Sequence, residues 1–307
     1  MTTDVSPLPV AAAATTAIQR RRKPLRLPRV ALHTFLTVMA LLWIAPVAWS
    51  FYTSLRSFKD TAENGYVSLP SSLTLDNYKA VWTGGDIRHL LINTLIVAIP
   101  AVVVTLFLAA CVAFVVSRRS FRFNVLLLIV FMAANLLPQQ VLITPLYRLY
   151  LQIPLPGFLS DSNLLYNSYL GVILIHIAFQ LGFCVFVLSN YMKTIPDSLS
   201  EAARVDGASV LKQFFTINLP LCRPALAALA TLEFTWIYND FLWAAVLLPS
   251  GDKRPITSAI ANLKGQFFTD PNLLAAGGAI IALPTIIVFA LLQRHFVKGL
   301  TLGATKG

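Results

Sequence analysis

Two groups of residues in this chain have types and spacings that could do chemistry, and neither is a catalytic set. The first is Glu201-Ala202-Ala203-Arg204-Val205-Asp206-Gly207, continued to Ile217-Asn218-Leu219-Pro220. It places charged and small side chains between two long apolar runs. Glu201, Arg204, Asp206 and Lys212 have no reason to enter lipid. Ala202 and Ala203 offer a low-relief face that another protein's backbone can approach, as in helix-in-groove docking. The second group is Glu233, Asn239 and Asp240, inside a later apolar run. Glu233 and Asp240 are seven residues apart and so lie on nearly one helix face, with Trp236 and Trp243 close to it. A carboxylate at bilayer mid-depth costs roughly 2.5–3.5 kcal/mol, so each must face protein or water. One reading is a polar face on a translocation path. The other is a hydrogen bond between packed helices.

The sequence carries none of the common enzymatic signatures. There is no Gly-x-x-x-x-Gly-Lys-Ser/Thr to cradle a nucleotide's phosphates, no His-Glu-x-x-His and no Gly-x-Ser-x-Gly. Cys111, Cys184 and Cys222 lack metal-ligand spacing and read as small apolar fillers. The chain is therefore expected to bind no cofactor or metal itself.

Elements around the first group can be read locally. Thr194-Ile195-Pro196-Asp197 predicts a capping box with a proline in the first turn, and Ser198 with Glu201 offers a second cap. A short helix is expected from about 196 to 205. Asp206-Gly207 reads as a turn, because glycine takes positive φ without Cβ strain. A second short helix is expected over 208–215, and Pro220 should stop further regular structure.

Composition sets the larger frame. Of 307 residues, 57% are hydrophobic and 12% charged, with a mean hydropathy of +0.71. A soluble domain carries about twice that charged fraction. The pattern predicts an all-α polytopic membrane protein with six spans, near 30–52, 90–116, 123–147, 168–192, 224–248 and 273–292. Pro138 and Pro145 are expected to kink the third. The long run from Val30 to Tyr52, without an Ala-x-Ala cleavage site, reads as a signal-anchor span. The last fifteen residues carry glycines every fourth position, which reads as too flexible for a helix. His176 and Gln180, i and i+4, can share hydrogen bonds, and Asn93, Asn135, Gln139 and Gln140 read as interhelical donors.

The net charge of +11 does not point to nucleic acid. The basic residues sit mainly at the ends of apolar runs, where anionic lipid and membrane topology account for them. With both termini inside, 16 of the 24 Lys and Arg residues fall in inner segments and 8 in outer loops. That bias obeys the positive-inside rule and puts residues 193–223 in the cytoplasm.

The phrase Glu201-Ala202-Ala203, Gly207 four residues after the second Ala, and then Ile217-x-Leu219-Pro220 resembles the "EAA" loop of inner-membrane permeases of ATP-binding-cassette importers. Leu75-Asp76-Asn77-Tyr78, Thr144-Pro145-Leu146-Tyr147, Asn239-Asp240-Phe241 and the glycine-spaced ending resemble the maltose-type carbohydrate subfamily. Together the matches cover about residues 70–307. The resemblance implies the type I importer permease fold. It divides the chain into a cytoplasmic basic tail (1–29), a first span with an external loop (30–89), the transporter's transmembrane domain (90–296, with a coupling loop at 193–223) and a C-terminal tail (297–307). It implies that Glu201, Ala202, Ala203, Asp206, Gly207, Ile217, Leu219 and Pro220 meet a separate cytoplasmic ATPase dimer, which holds ATP and Mg. It implies a second permease subunit in a heterodimer, an external solute-binding protein, a bacterial inner-membrane location, and a di- or oligosaccharide substrate. Related permeases carry glycerol phosphate or polyols. A secondary transporter or a membrane-embedded enzyme would need no cytoplasmic docking hairpin, so that loop separates them from an importer subunit.

Overall fold

The computed structural model describes residues 26–84, 86–118, 123–258 and 270–301. The basic tail up to residue 25, Arg119, Arg122, the loop 259–269 and the last six residues lie outside the described residues. The described chain is mostly helical, with its longest irregular connections at 65–75 and 151–168. Contacts divide it into two units, Met1–Ala48 and Trp49–Gly307.

The first unit contains most of α1 (Arg26–Ser54). Its side chains from 30 to 48 are almost all exposed, and its length and composition suit a membrane span. Exposed apolar surface on such a helix is what lipid solvates.

The second unit is built on α4 (Ile87–Arg118) and α7 (Tyr169–Met192). These two helices make the most extensive packing in the molecule. Ala98, Ala101, Thr105, Ala109 and Ala113 recur at three- and four-residue steps along α4 and are all fully buried. Small side chains at that spacing let two backbones approach closely, which is how helices associate where lipid removes the hydrophobic drive. α11 (Arg223–Tyr238) and α13 (Pro271–Thr301) pack together beside this pair. Gly182 brings α5 (Asn124–Asn135) onto α7: a Cβ there would stand 2.6 Å from Phe131 O and 2.7 Å from Asn135 Nδ2.

Four described helices are long and apolar enough to cross a membrane, and α11 passes the same test only when counted together with the bent run 210–221 before it. The expected third span is two helices. α5 ends at Asn135, and α6 (Gln139–Tyr150) starts after Pro138. Pro138 lacks an N–H and drives the residue before it out of the α region, so it breaks the helix rather than bending it. Pro145 lies inside α6 without ending it. The expected fifth span also breaks, between α11 and α12 (Leu242–Leu247). Residues 293–301, expected to be too flexible, continue α13. A single glycine costs a helix about 1 kcal/mol, too little to end one already running for six turns.

The loop after α1 holds α2 (Phe58–Asn64) and α3 (Asp76–Gly84). It is organised by a buried ion pair, Arg56 Nε to Asp60 Oδ2 at 2.8 Å. Asn77, in the Leu75-Asp76-Asn77-Tyr78 phrase, donates to the carbonyls of Ser54 and Arg56. That phrase therefore fastens α3 to the end of α1.

Candidate functional site

The first site is the hairpin after α7. α8 (Asp197–Val205) forms where expected, but not by the expected caps. Thr194 donates to Tyr191 O instead, and Pro196 occupies the N-cap with no side-chain hydrogen bond. The carboxylate of Asp197 pairs with Arg118, at the end of α4. Asp206 ends α8, and Gly207 turns the chain at φ +74° with open space around it. Ser209 then caps α9 (Val210–Gln213) through the Lys212 amide. A π turn, Phe214–Asn218, follows, and α10 (Leu219–Leu221) after it. Pro220 does not stop regular structure. It sits in the first turn of α10, where no intrahelical N–H is needed. The run 210–221 meets α11 at a bend of 71°.

Exposure divides the motif residues. Glu201, Ala202, Asp206 and Gly207 are exposed, while Ile217, Leu219 and Pro220 are half-buried. Ala203 is not on the exposed face. It is buried, three residues after Ser200 on the inward side of α8, and its carbonyl accepts the Ala208 amide at 2.8 Å. Glu201 has no hydrogen-bond or ion-pair partner among the described residues. On the same hairpin Leu199, Val205, Val210, Leu211, Phe215 and Leu221 are all exposed, Val205 at 88% and Leu211 at 70%. A short polar hairpin that leaves so much apolar surface uncovered has the form of a docking element.

The second site is a cavity of about 370 Å³ lined by Asn135, Gln139, His176, Phe179, Gln180, Trp236, Asp240 and Trp243. The break between α11 and α12 builds it. Asp240 accepts the amides of Trp243 and Ala244, so its carboxylate starts α12. His176 Nε2 lies 3.6 Å from Asp240 Oδ2. Trp243 stacks on Phe179 with ring centroids 5.5 Å apart and donates its indole N–H to Gln139 at 3.0 Å. The wall thus alternates aromatic faces with amides and one carboxylate. Aromatic faces suit the apolar face of a ring, and the amides suit hydroxyl groups.

Of the three path residues expected from sequence, Asp240 alone lines this cavity. Asn239 is exposed and folds back to the carbonyl of Thr235. Glu233 is fully buried elsewhere, taking the thiol of Cys184 at 3.2 Å. Four residues read as packing amides or a packing imidazole, Asn135, Gln139, His176 and Gln180, line the cavity instead. The i, i+4 pairing of His176 and Gln180 was the sequence signal for that face. Asn93 does hold structure together, through the carbonyls of Asp252 and Arg254 and the hydroxyl of Tyr169. Among the described residues no three His, Cys, Asp or Glu side chains gather to hold a metal.

Residues 85–302 match the family of binding-protein-dependent transport system inner membrane components. The chain is 33% identical over 285 residues to the osmoprotective compounds uptake permease protein of Synechocystis sp., covering 91% of this chain and 92% of that one. It is 34% identical over 268 residues to the trehalose transport system permease protein of Mycobacterium tuberculosis, covering 86% and 93%. The fold is similar to a chain of a bacterial ABC transporter involved in the import of the acidic polysaccharide alginate. There the TM-score is 0.71 at 22% identity, over 88% of this chain and 97% of the other.

Proposed function

This chain belongs to the family of binding-protein-dependent transport system inner membrane components, and from that premise we propose how it works and what it carries. It is a multi-pass permease subunit of an ABC transporter, not an enzyme. The hairpin 196–220 is the element that receives the closing motion of a cytoplasmic ATPase dimer, which holds ATP and Mg. Its exposed apolar residues, on the same hairpin as the exposed carboxylate of Glu201, are the observation that carries this reading. A flat ATPase cleft would cover them, and Gly207 sets the angle at which they meet it.

The substrate is a neutral di- or oligosaccharide, delivered by an external binding protein and passed along the cavity at Asp240. The relatives support a sugar, and so does the wall of aromatic rings and amides. The cavity carries a carboxylate and, among the described residues, no Lys or Arg, which disfavours glycerol phosphate. A neutral polyol osmolyte is the second reading, favoured by the relative named for osmoprotective compounds. The chain acts beside a second permease subunit, with both termini in the cytoplasm and six crossings. The sixth crossing is α5 with α6, completed across the break at Pro138.

The experiment is reconstitution of the purified complex in proteoliposomes with its binding protein. ATP hydrolysis should rise when a bound oligosaccharide is supplied and should not respond to glycerol phosphate. Hydrolysis indifferent to every sugar but driven by a polyol would select the second reading.

A further inference from the structure

Three buried polar side chains near the hairpin have no place in the docking surface. They are Arg118, Gln213 and Asn218. The Arg118 side chain is 6% exposed, Gln213 is buried and Asn218 is fully buried. Polar groups that far from water are retained only with partners, and here each partner lies on a different part of the hairpin.

Arg118 ends α4. Its Nη2 donates to Met192 O at 2.8 Å and to Ile195 O at 3.0 Å. Its Nη1 pairs with Asp197 at the start of α8. Its Nε donates to Asn218 Oδ1 at 3.2 Å. One guanidinium therefore grips both ends of the hairpin at once, the way in from α7 and the way out toward α11. Asn218 Nδ2 in turn donates to Gln213 O at 3.2 Å, and Gln213 Nε2 donates to Ala208 O at 2.8 Å. The Ala208 amide closes on Ala203 O. The chain of bonds runs without a gap from α4 through the π turn to the turn at Gly207. Beside it, the Phe114 and Phe214 rings pack at 5.3 Å, an apolar contact between the same two elements.

We propose that the Arg118–Asn218–Gln213 network is the strut that ties the hairpin to α4, so that movement of the hairpin becomes movement of the α4–α7 pair. This rests on the reading of the hairpin as the coupling element. Hydrogen-bond chains of this kind are stiff because each member has one geometry that satisfies all its groups. The planar fork of Arg118 meets acceptors on three sides, which an ammonium on a flexible stem cannot do from one position. The π turn puts the Asn218 amide between Arg118 and Gln213, consistent with π turns marking functional positions. Arg118, Asn218 and Gln213 are positioning residues: they touch neither sugar nor ATP.

The test uses the complete reconstituted importer and reads the ratio of sugar-stimulated to unstimulated ATP hydrolysis. Asn218→Leu keeps the volume and removes both amide bonds. Arg118→Lys keeps the charge and removes the fork. Gln213→Met removes only the last link. With assembly intact and hydrolysis without sugar persisting, the ratio should fall about tenfold for Asn218→Leu and Arg118→Lys, and about threefold for Gln213→Met. A normal ratio in assembled complexes of all three overturns the strut. Failure of all three to assemble also overturns it, since the network would then be a folding device. Val205→Glu, on the exposed face, separates the two readings. If it lowers the ratio while the network variants do not, the strut alone fails. If none lowers it, the hairpin reading fails.

Discussion

The hairpin and the cavity treat polar and apolar groups in opposite ways. In the hairpin Gln213 and Asn218 turn inward and are satisfied together with Arg118, while apolar residues such as Val205 and Leu211 face out beside the exposed Glu201, Arg204 and Asp206. In the cavity the polar groups face an open space, and His176 Nε2, 3.6 Å from the Asp240 carboxylate, lacks a hydrogen-bond partner among the described residues. On the docking reading proposed above, the hairpin holds its own shape and leaves its contact surface uncovered. The cavity keeps one polar atom, His176 Nε2, unspent, while Asp240 and Gln139 also hold the start of α12 and the Trp243 ring in place. The same residue types, Asn and Gln, therefore serve as girders in one region and as lining in the other.

The comparison can be broken first at the cavity wall. Gly182→Leu places side-chain atoms where Phe131 O and Asn135 Nδ2 stand, so α5 must leave α7. The cost of forced overpacking is about 1–3 kcal/mol, occasionally more, and here it falls on backbone that cannot yield by a rotamer change. This variant should show the largest effect of the set, a more than tenfold drop in folded complex recovered in detergent. Recovery at the normal level would mean that α5 does not form this wall.

Asp240→Asn sharpens the contrast by charge alone. Asn caps a helix about as well as Asp, so α12 should persist. Uptake should fall about tenfold in proteoliposomes while the complex assembles normally. Uptake at the normal rate would make Asp240 a structural cap and remove it from the path.

Next comes Gly207→Val. At φ +74° a β-branched residue is strained by about 1–2 kcal/mol, although nothing near the glycine would clash. That is too little to unfold the bundle and enough to tilt the hairpin. Sugar-stimulated hydrolysis should drop while membrane insertion is unchanged, as read by ATPase assay and membrane yield. Full stimulation would show that the docking angle is not set at this turn.

The smallest effect belongs to the loop after α1, which also buries polar groups in matched pairs. The Ser71 hydroxyl and then the Arg56 guanidinium hold the Asp60 carboxyl well below the usual carboxylate range. A depressed folded pKa stabilises the loop above the unfolded value of about 3.9, and that stability is lost as pH falls through the folded value. Amide exchange in residues 56–71 should thus be slow and pH-independent, after correction for intrinsic rates, from neutrality to about pH 5. It should quicken only below about pH 4. Loosening near pH 6 would assign the loop's stability to another group.

The hairpin was legible in the sequence because its signals are local. Glu201 to Gly207 lies within two helical turns, and Asp206-Gly207 announces a positive φ by composition alone. Its strut was not legible, because Arg118 precedes Asn218 by 100 residues and reads as one more basic residue at the end of a span. The cavity was half legible. Asp240 announced itself as a carboxylate in an apolar run. Its companions come from α5, α6 and α7, and only the close approach at Gly182 and the break at Pro138 bring them to it. The break at Asn239–Asp240 has neither Gly nor Pro, so its sole sign was the tendency of an Asp such as Asp240 to accept amides of a helix's first turn. Ala203 was misplaced because adjacent helix positions point about 100° apart, and one of two neighbouring alanines had to face inward.

The central claim is that the exposed face of the hairpin is covered by the ATPase. A photo-crosslinking amino acid at position 205, where the native valine is 88% exposed, tests it in the assembled, membrane-embedded complex. The account predicts an adduct with the mass of the ATPase subunit, lost when that subunit is omitted. Adducts with lipid alone, in complexes that still hydrolyse ATP on sugar addition, would contradict it.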